Sequence, residues 1–313
     1  MKNLFIVLIL ALALVGCATP TPAPAPTATP APPTATRVAP TATPVPPAAT
    51  TAPPTATRVL PTATPVPPTS PIPAPTTVSV PSSKEVTATL TWFGQSTFVL
   101  KTSSGLTALL DPMAANMGYT LTPIDGADLV TISHEHTDHN NAALATGSPT
   151  VLRGLAGNDW AKIDQKIKNV RVYTVSTYHD DTQGSARGKN AVFVFDLDGL
   201  RVVHLGDLGH KLSDDQIKQI GAVDALMIPV GGFFTVDGKG AAEVVGQLKP
   251  KIVIPMHYKT PDLGASTAAR LTDTEPFITA LGTSAQVTQP GKVVTISSLK
   301  LPTELTVMVM SYK

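Results

Sequence analysis

Cysteine is almost absent from this chain of 313 residues: Cys17 is the only one. It has nothing to pair with, so an internal disulfide is excluded, as is any thiolate metal site after residue 17. Acidic side chains are missing altogether before Glu85. Long apolar runs are scarce. The run at the N-terminus, Leu4 to Val15, has 12 residues, against the roughly 20 of a membrane-spanning helix. Nor is there an excess of positive charge: residues 84–313 hold 20 Lys and Arg against 22 Asp and Glu, a formal charge of −2. That near-balance argues against the basic face needed to bind nucleic acid.

What is present falls into three parts. Residues 1–17, MKNLFIVLILALALVGC, carry Lys2, the apolar run and then Gly16-Cys17, the order of an export signal. LVGC resembles the lipobox of bacterial lipoproteins, which implies cleavage before Cys17 and its lipidation, with the mature protein held at the cell membrane or surface. Residues 18–83 are nearly all Pro, Thr, Ala and Val, with no acidic or aromatic residue. PPTATRVAPTATPVPP (32–47) returns as PPTATRVLPTATPVPP (53–68), duplicated low-complexity sequence that cannot bury a core. We read it as a disordered stalk, reaching at most roughly 200 Å at about 3.1 Å per residue. Residues 84–313 are long enough for one sizeable domain.

Within that domain, short apolar segments predict strands at 86–93, 97–101, 106–110, 129–133, 170–175, 191–197, 201–205, 225–230 and 251–255. Helices are expected after Ser213 and after Asp237, each a candidate N-cap. Strands followed by alternating strands and helices imply a layered α/β domain.

The chain has seven histidines, and three of them stand in SHEHTDHN (133–140). The segment leaves the end of the strand at 129–133, so His134, His136, Asp138 and His139 start from a fixed point and can converge. Imidazole and carboxylate together suit zinc, with iron or manganese as alternatives. Rival motifs fail. HExxH would require histidine at Asp138, GQSTF lacks the last glycine of GxSxG, and GGFFTVDGKG has the wrong spacing for a phosphate-binding loop.

HEHTDH, YHDD with His179, HLGD with Asp207 and PMHY with His257 together resemble the metallo-β-lactamase superfamily in type and order. The flanking WFGQSTF, LLDP and IPVGGFFTVD are similar to its branch related to L-ascorbate-6-phosphate lactonase and metal-dependent hydrolases. The resemblance implies an αββα sandwich with a dinuclear site at one edge. His134, His136 and His179 would hold one ion, Asp138, His139 and His257 the other, and Asp207 would bridge. Two divalent ions, zinc first, could share a water and bring its pKa near neutrality. The implied activity is hydrolysis of an ester, lactone or related bond in a small-molecule substrate, with Asp207 and Asp138 in catalytic roles. A phosphodiesterase, a di-iron redox enzyme and a non-catalytic metal-binding sensor remain as alternatives. Gln95 departs from the branch, which often has histidine there.

Other polar residues are expected near the site. His204 reads as a support for a ligand, His210 as a candidate for the site mouth, Arg187 and Lys189 as candidates for an anionic substrate, and Tyr258 as a neighbour of His257. Asp111 reads as a structural or ligand-supporting carboxylate.

Overall fold

The structure, a computed structural model, describes residues 84–313. The expected signal segment 1–17 with Cys17, and the stalk 18–83, lie outside the described residues.

In chain order the first strands are β1 (Thr87–Trp92), β2 (Phe98–Thr102), β3 (Thr107–Leu110), β4 (Leu129–Ile132) and β5 (Thr150–Arg153). A short hairpin, β6 (Leu155–Ala156) and β7 (Asp159–Trp160), leads to β8 (Asp164–Ile167), β9 (Val170–Tyr178), β10 (Lys189–Asp196) and β11 (Arg201–His204). There follow α1 (Asp214–Ile220), β12 (Ala225–Pro229), α2 (Gly238–Leu248), β13 (Ile252–Met256), α3 (Ala265–Ala268) and α4 (Glu275–Leu281). The chain ends with β14 (Ala285–Thr288), β15 (Val293–Ser297) and β16 (Leu305–Met308).

These strands build two sheets. One runs β15-β1-β2-β3-β4-β5 and the other β14-β16-β13-β12-β11-β10-β9-β8. Each is antiparallel in one part and parallel in the other: β3, β4 and β5 pair in parallel in the first, and β11, β12, β13, β16 and β14 in the second.

Burial follows the same division. β1 alternates, with Ala88, Leu90 and Trp92 inward, as suits a strand with one core face. Every residue of β12 (ALMIP) and β13 (IVIPM) is buried, because parallel strands are covered on both faces. Trp92, Phe98, Phe193 and Phe195 fill the space between the sheets. Each such burial stabilises by roughly 1.5–3 kcal/mol.

The helical layers are thin. Ser213 caps α1 through a reciprocal bond with Gln216, and Asp237 caps α2 by accepting from Gly240 N at 2.8 Å. Over the outer face of the first sheet, the chain following Asn140 makes only a 3₁₀ turn at Ala142–Leu144. Leu121, Ile124, Leu144 and Ala145 cover Val99, Leu109, Val130 and Ile132 there.

Candidate metal centre

Parallel strands place their carboxyl ends at one edge, where ligands of open α/β sheets gather. Asp111 follows β3, His134 to His139 follow β4, Asp207 follows β11 and His257 follows β13, while His179 leaves the antiparallel β9. The residues so gathered are two groups whose ligand atoms lie within 4.8 Å of one another: His134, His136 and His179, and Asp138, His139, Asp207 and His257.

One carboxylate oxygen lies close to donors of both. Asp207 Oδ2 is 3.9 Å from His134 Nε2 and 3.2 Å from His179 Nε2 on one side. On the other it is 3.2 Å from His139 Nε2 and 3.4 Å from His257 Nε2. Asp138 Oδ2 lies 3.6 Å from His139 Nε2 and 3.4 Å from His257 Nε2. Donors bound to one tetrahedral zinc at about 2.0–2.1 Å sit roughly 3.3 Å apart, so these separations suit cations placed among the donors.

The donors' remaining valences fit the same reading. His139 Nδ1 is engaged by Asp111 Oδ2 at 2.8 Å, a carboxylate–histidine pair of the kind that orients metal-binding imidazoles. Its Nε2 is buried with no hydrogen-bond partner among the described residues, as is Asp207 Oδ1. Buried polar atoms seldom go unpaired, and a cation would satisfy both.

Electrostatics within the cluster are strained. Burial, then the charge of His139, holds His134 well below the usual histidine range, and burial with His179 lowers His136. Burial opposes the protonation of His139 too, yet Asp207 and Asp138 draw it well above its ordinary value; Asp207 likewise raises His257. Both carboxylates are pushed down: His139 outweighs burial at Asp138, and His139 and His257 outweigh it at Asp207.

The backbone is bent to make this edge. Asp111, Gln95 and His257 all have left-handed φ, 43°, 45° and 49°, and such conformations in non-glycine residues cluster at functional sites. Gln95 O accepts from His257 N at 3.2 Å and from Trp92 Nε1 at 3.0 Å, while its buried side-chain amide has no partner among the described residues. Gln95 thus positions His257 through its main chain. Gly209 is packed on the opposite wall, where a Cβ would lie 2.3 Å from the carbonyl carbon of His179.

The cleft over the cluster has a volume of about 490 Å³, within the range of small-molecule sites. Met117, Thr137, Ala186, Arg187, Phe234 and Thr267 line it beside His136, Asp138, His179, Asp207 and His257.

The other expected neighbours divide. His204 Nε2 bonds Ser96 O at 2.9 Å and its Nδ1 accepts from Gly206 N at 3.1 Å, so both ring nitrogens are engaged by the protein. It lies 3.9 Å behind Asp111 Oδ2. Three residues do not take the places expected from sequence. His210 accepts from Tyr178 N at 3.0 Å and bonds Lys211 O at 2.7 Å, tied to backbone and outside the cleft lining. Lys189 is drawn to Asp159, 2.8 Å away, over the ring of Trp160. Tyr258 turns into the inter-sheet core, its ring 5.4 Å from that of Trp92.

Two further residues support the ligands. The Asp180 carboxylate, adjacent to His179, accepts bonds from the backbones of Thr182, Gly184, Ala186 and Arg187. Asn190, a polar residue inside the apolar β10, accepts from Asp207 N at 3.0 Å and donates to Leu205 O and Thr177 Oγ1. A buried amide in such a strand is the sequence signal that could have revealed it.

Residues 89–257 match the family described as Beta-lactamase superfamily domain, a stretch that ends at His257 and contains all seven gathered residues. The chain belongs to this superfamily, and its fold is the metallo-beta-lactamase fold. A metal-dependent hydrolase of Thermococcus onnurineus is 30% identical over 188 residues, 53% of this chain and 81% of the relative. One of Pyrococcus furiosus is 28% identical over 228 residues, 65% of this chain and 97% of its own. Among solved structures, a candidate zinc-dependent hydrolase of the metallo-beta-lactamase superfamily from Thermotoga maritima superposes with a TM-score of 0.57 at 34% identity, covering 72% of this chain and 98% of that one.

Proposed function

We propose that this metal-dependent hydrolase holds two divalent cations, zinc before iron or manganese, and cleaves an ester, lactone or related bond of a small molecule. His134, His136 and His179 hold one ion, Asp138, His139 and His257 the other, and Asp207 is shared. The supporting observation is the place of Asp207 Oδ2, within 3.9 Å of imidazole nitrogens from both groups. The chemistry such ions supply is Lewis acidity, which makes water a nucleophile near neutral pH and draws charge from the scissile group.

The chain's own residues do the rest. Asp111 fixes the ring of His139 through Nδ1, and Asn190 fixes the backbone of Asp207. Asp138 is the more open carboxylate, its side chain 20% exposed against 2% for Asp207. It is therefore the carboxylate that a bound substrate and its attacking water can reach, while against the effect of burial His139 and His257 keep it ionised. Met117, Ala186 and Phe234 limit water around the scissile bond.

Saturating the purified protein with zinc is expected to give close to two equivalents per chain by elemental analysis, with hydrolysis of aryl esters or lactones that a chelator abolishes. A folded sample that takes up no zinc refutes the reading. Activity confined to phosphodiesters would replace the acyl substrate by a phosphodiester.

We also propose that Cys17 carries a lipid anchor and that residues 18–83 hold the 84–313 domain away from a membrane surface. The support is sequence alone. Cys17→Ser is expected to move the protein from the membrane to the soluble exported fraction, or to stall its processing. Normal cleavage with unchanged membrane retention excludes the anchor.

A further inference from the structure

The described residues contain five arginines, and they fall into two sets. Arg153, Arg171 and Arg201 each meet a carboxylate, at 2.7, 2.8 and 2.6 Å. Arg187 and Arg270 have no carboxylate partner among the described residues, and both lie against the ring of Phe233, with Cζ at 5.4 Å and 4.9 Å from its centroid. Arg187 lines the cleft, where it is the only Lys or Arg.

Arg187 is held in place. Its backbone N–H donates to Asp180 Oδ2, within a loop closed by the remaining bonds to that carboxylate. Burial opposes the ionised form of Asp180, but the Arg187 amide and the other donors keep its pKa below the usual carboxylate range. The guanidinium donates through Nη2 to Phe233 O and also lies 5.7 Å from the ring centroid of Phe234. A planar cation fixed between rings retains N–H edges for an oxyanion at little entropic cost. The ring of Phe233 is 52% exposed, at a left-handed φ of 53°, so it is displayed beside the cleft rather than packed away.

We propose that the substrate carries an oxyanion, a carboxylate or a phosphate, apart from its scissile bond, and that Arg187 binds this group while Arg270 and Phe233 form the outer wall. This rests on the hydrolytic reading of the cleft. Of the two arginines, Arg187 makes the direct contact, because it alone lines the cleft.

The test uses the zinc-loaded protein, glutarate and glycerol phosphate as unreactive probes, and calorimetry. Arg187→Gln is expected to weaken at least one probe by about 10-fold or more, Arg187→Lys to recover part of the loss, and Arg270→Gln to weaken binding only a few-fold. Zinc content and thermal midpoint should stay at their wild-type values. The probe with the larger loss distinguishes a phosphate-bearing from a carboxylate-bearing substrate. Equal affinities in wild type and Arg187→Gln, at full zinc content, overturn the assignment, as does failure of both probes to bind the wild type. Should Arg187→Gln not fold, Arg187→Lys against Arg270→Gln keeps the comparison. Zinc measured on the same samples separates the two readings, since a protein that binds no zinc sinks the hydrolytic centre itself.

Discussion

Asp207→Ala is expected to empty both halves of the centre, lowering bound zinc from about two equivalents to below one, and to reduce hydrolysis by at least about 10²–10³-fold. Removing a carboxylate that serves one ion would leave the second in place. Asp207 Oδ2 lies near nitrogens of both groups, so its loss exposes four imidazoles to one another without an intervening charge. His136→Ala supplies the contrast, because it should cost one equivalent and leave the other. Both measurements need saturating zinc and circular dichroism to establish that each variant is folded. Two full equivalents in Asp207→Ala would remove the shared ligand from the reading.

The second large effect is expected at Asp111, which is fully buried and touches no ion in the proposed scheme. Its carboxylate accepts from Ser133 N at 2.8 Å, from Ser133 Oγ, and from His139 Nδ1 at 2.8 Å. Asp111→Ala strips the partners from those donors and places alanine at a φ of 43°, a conformation aspartate tolerates better. A loss of about 3 kcal/mol in unfolding free energy is expected, with zinc affinity down about 10- to 100-fold. Asp111→Asn, which keeps one acceptor and tolerates the backbone, should fall between. Denaturant melts and zinc competition measure the two quantities separately. Wild-type zinc affinity in a folded Asp111→Ala protein would show that the ring of His139 is oriented by something else.

Much of this architecture is legible in the residues. The nine expected strands all form, and seven of the nine coincide with β1 to β4 and β11 to β13 to within a residue or so at each end. Both N-caps, Ser213 and Asp237, are used. Of the strands not expected, β6 and β7 are two residues each, and β5, β8, β14 and β15 are the four edges of the two large sheets. An edge strand buries little: β8 reads DQKI with no buried residue, and β5 has only Leu152 inside. β5 and β8 lack a two-residue apolar alternation and give no signal to read, whereas β15 (VVTIS) does alternate, burying Val294 and Ile296. β16 has no such excuse, since its LTVM run is apolar and lies between β13 and β14.

The centre divides along the same line. Residues with distinctive chemistry at close spacing, His134 to His139, stand out in one dimension, and the structure brings them together with His179, Asp207 and His257. The sequence neighbours of Lys189, His210 and Tyr258 point to the site, but their side chains do not enter it. A step of one residue along β10 or past β13 turns a side chain to another face, and Lys189 and Tyr258 are two such cases. Asp180 acts through hydrogen bonds to loop backbone, a role that composition does not advertise.

The seven gathered residues come from loops of both sheets: the β4 end of one, the β9, β11 and β13 ends of the other. Two metal ions held there would cross-link the two halves of the sandwich, in a chain whose single cysteine leaves it no disulfide to do so. Release of the ions would then loosen the junction between sheets as well as silence the chemistry, and at free zinc about 100 times the dissociation constant each ion would contribute about 2.7 kcal/mol of resistance to unfolding. Durability and activity would be drawn from the same atoms.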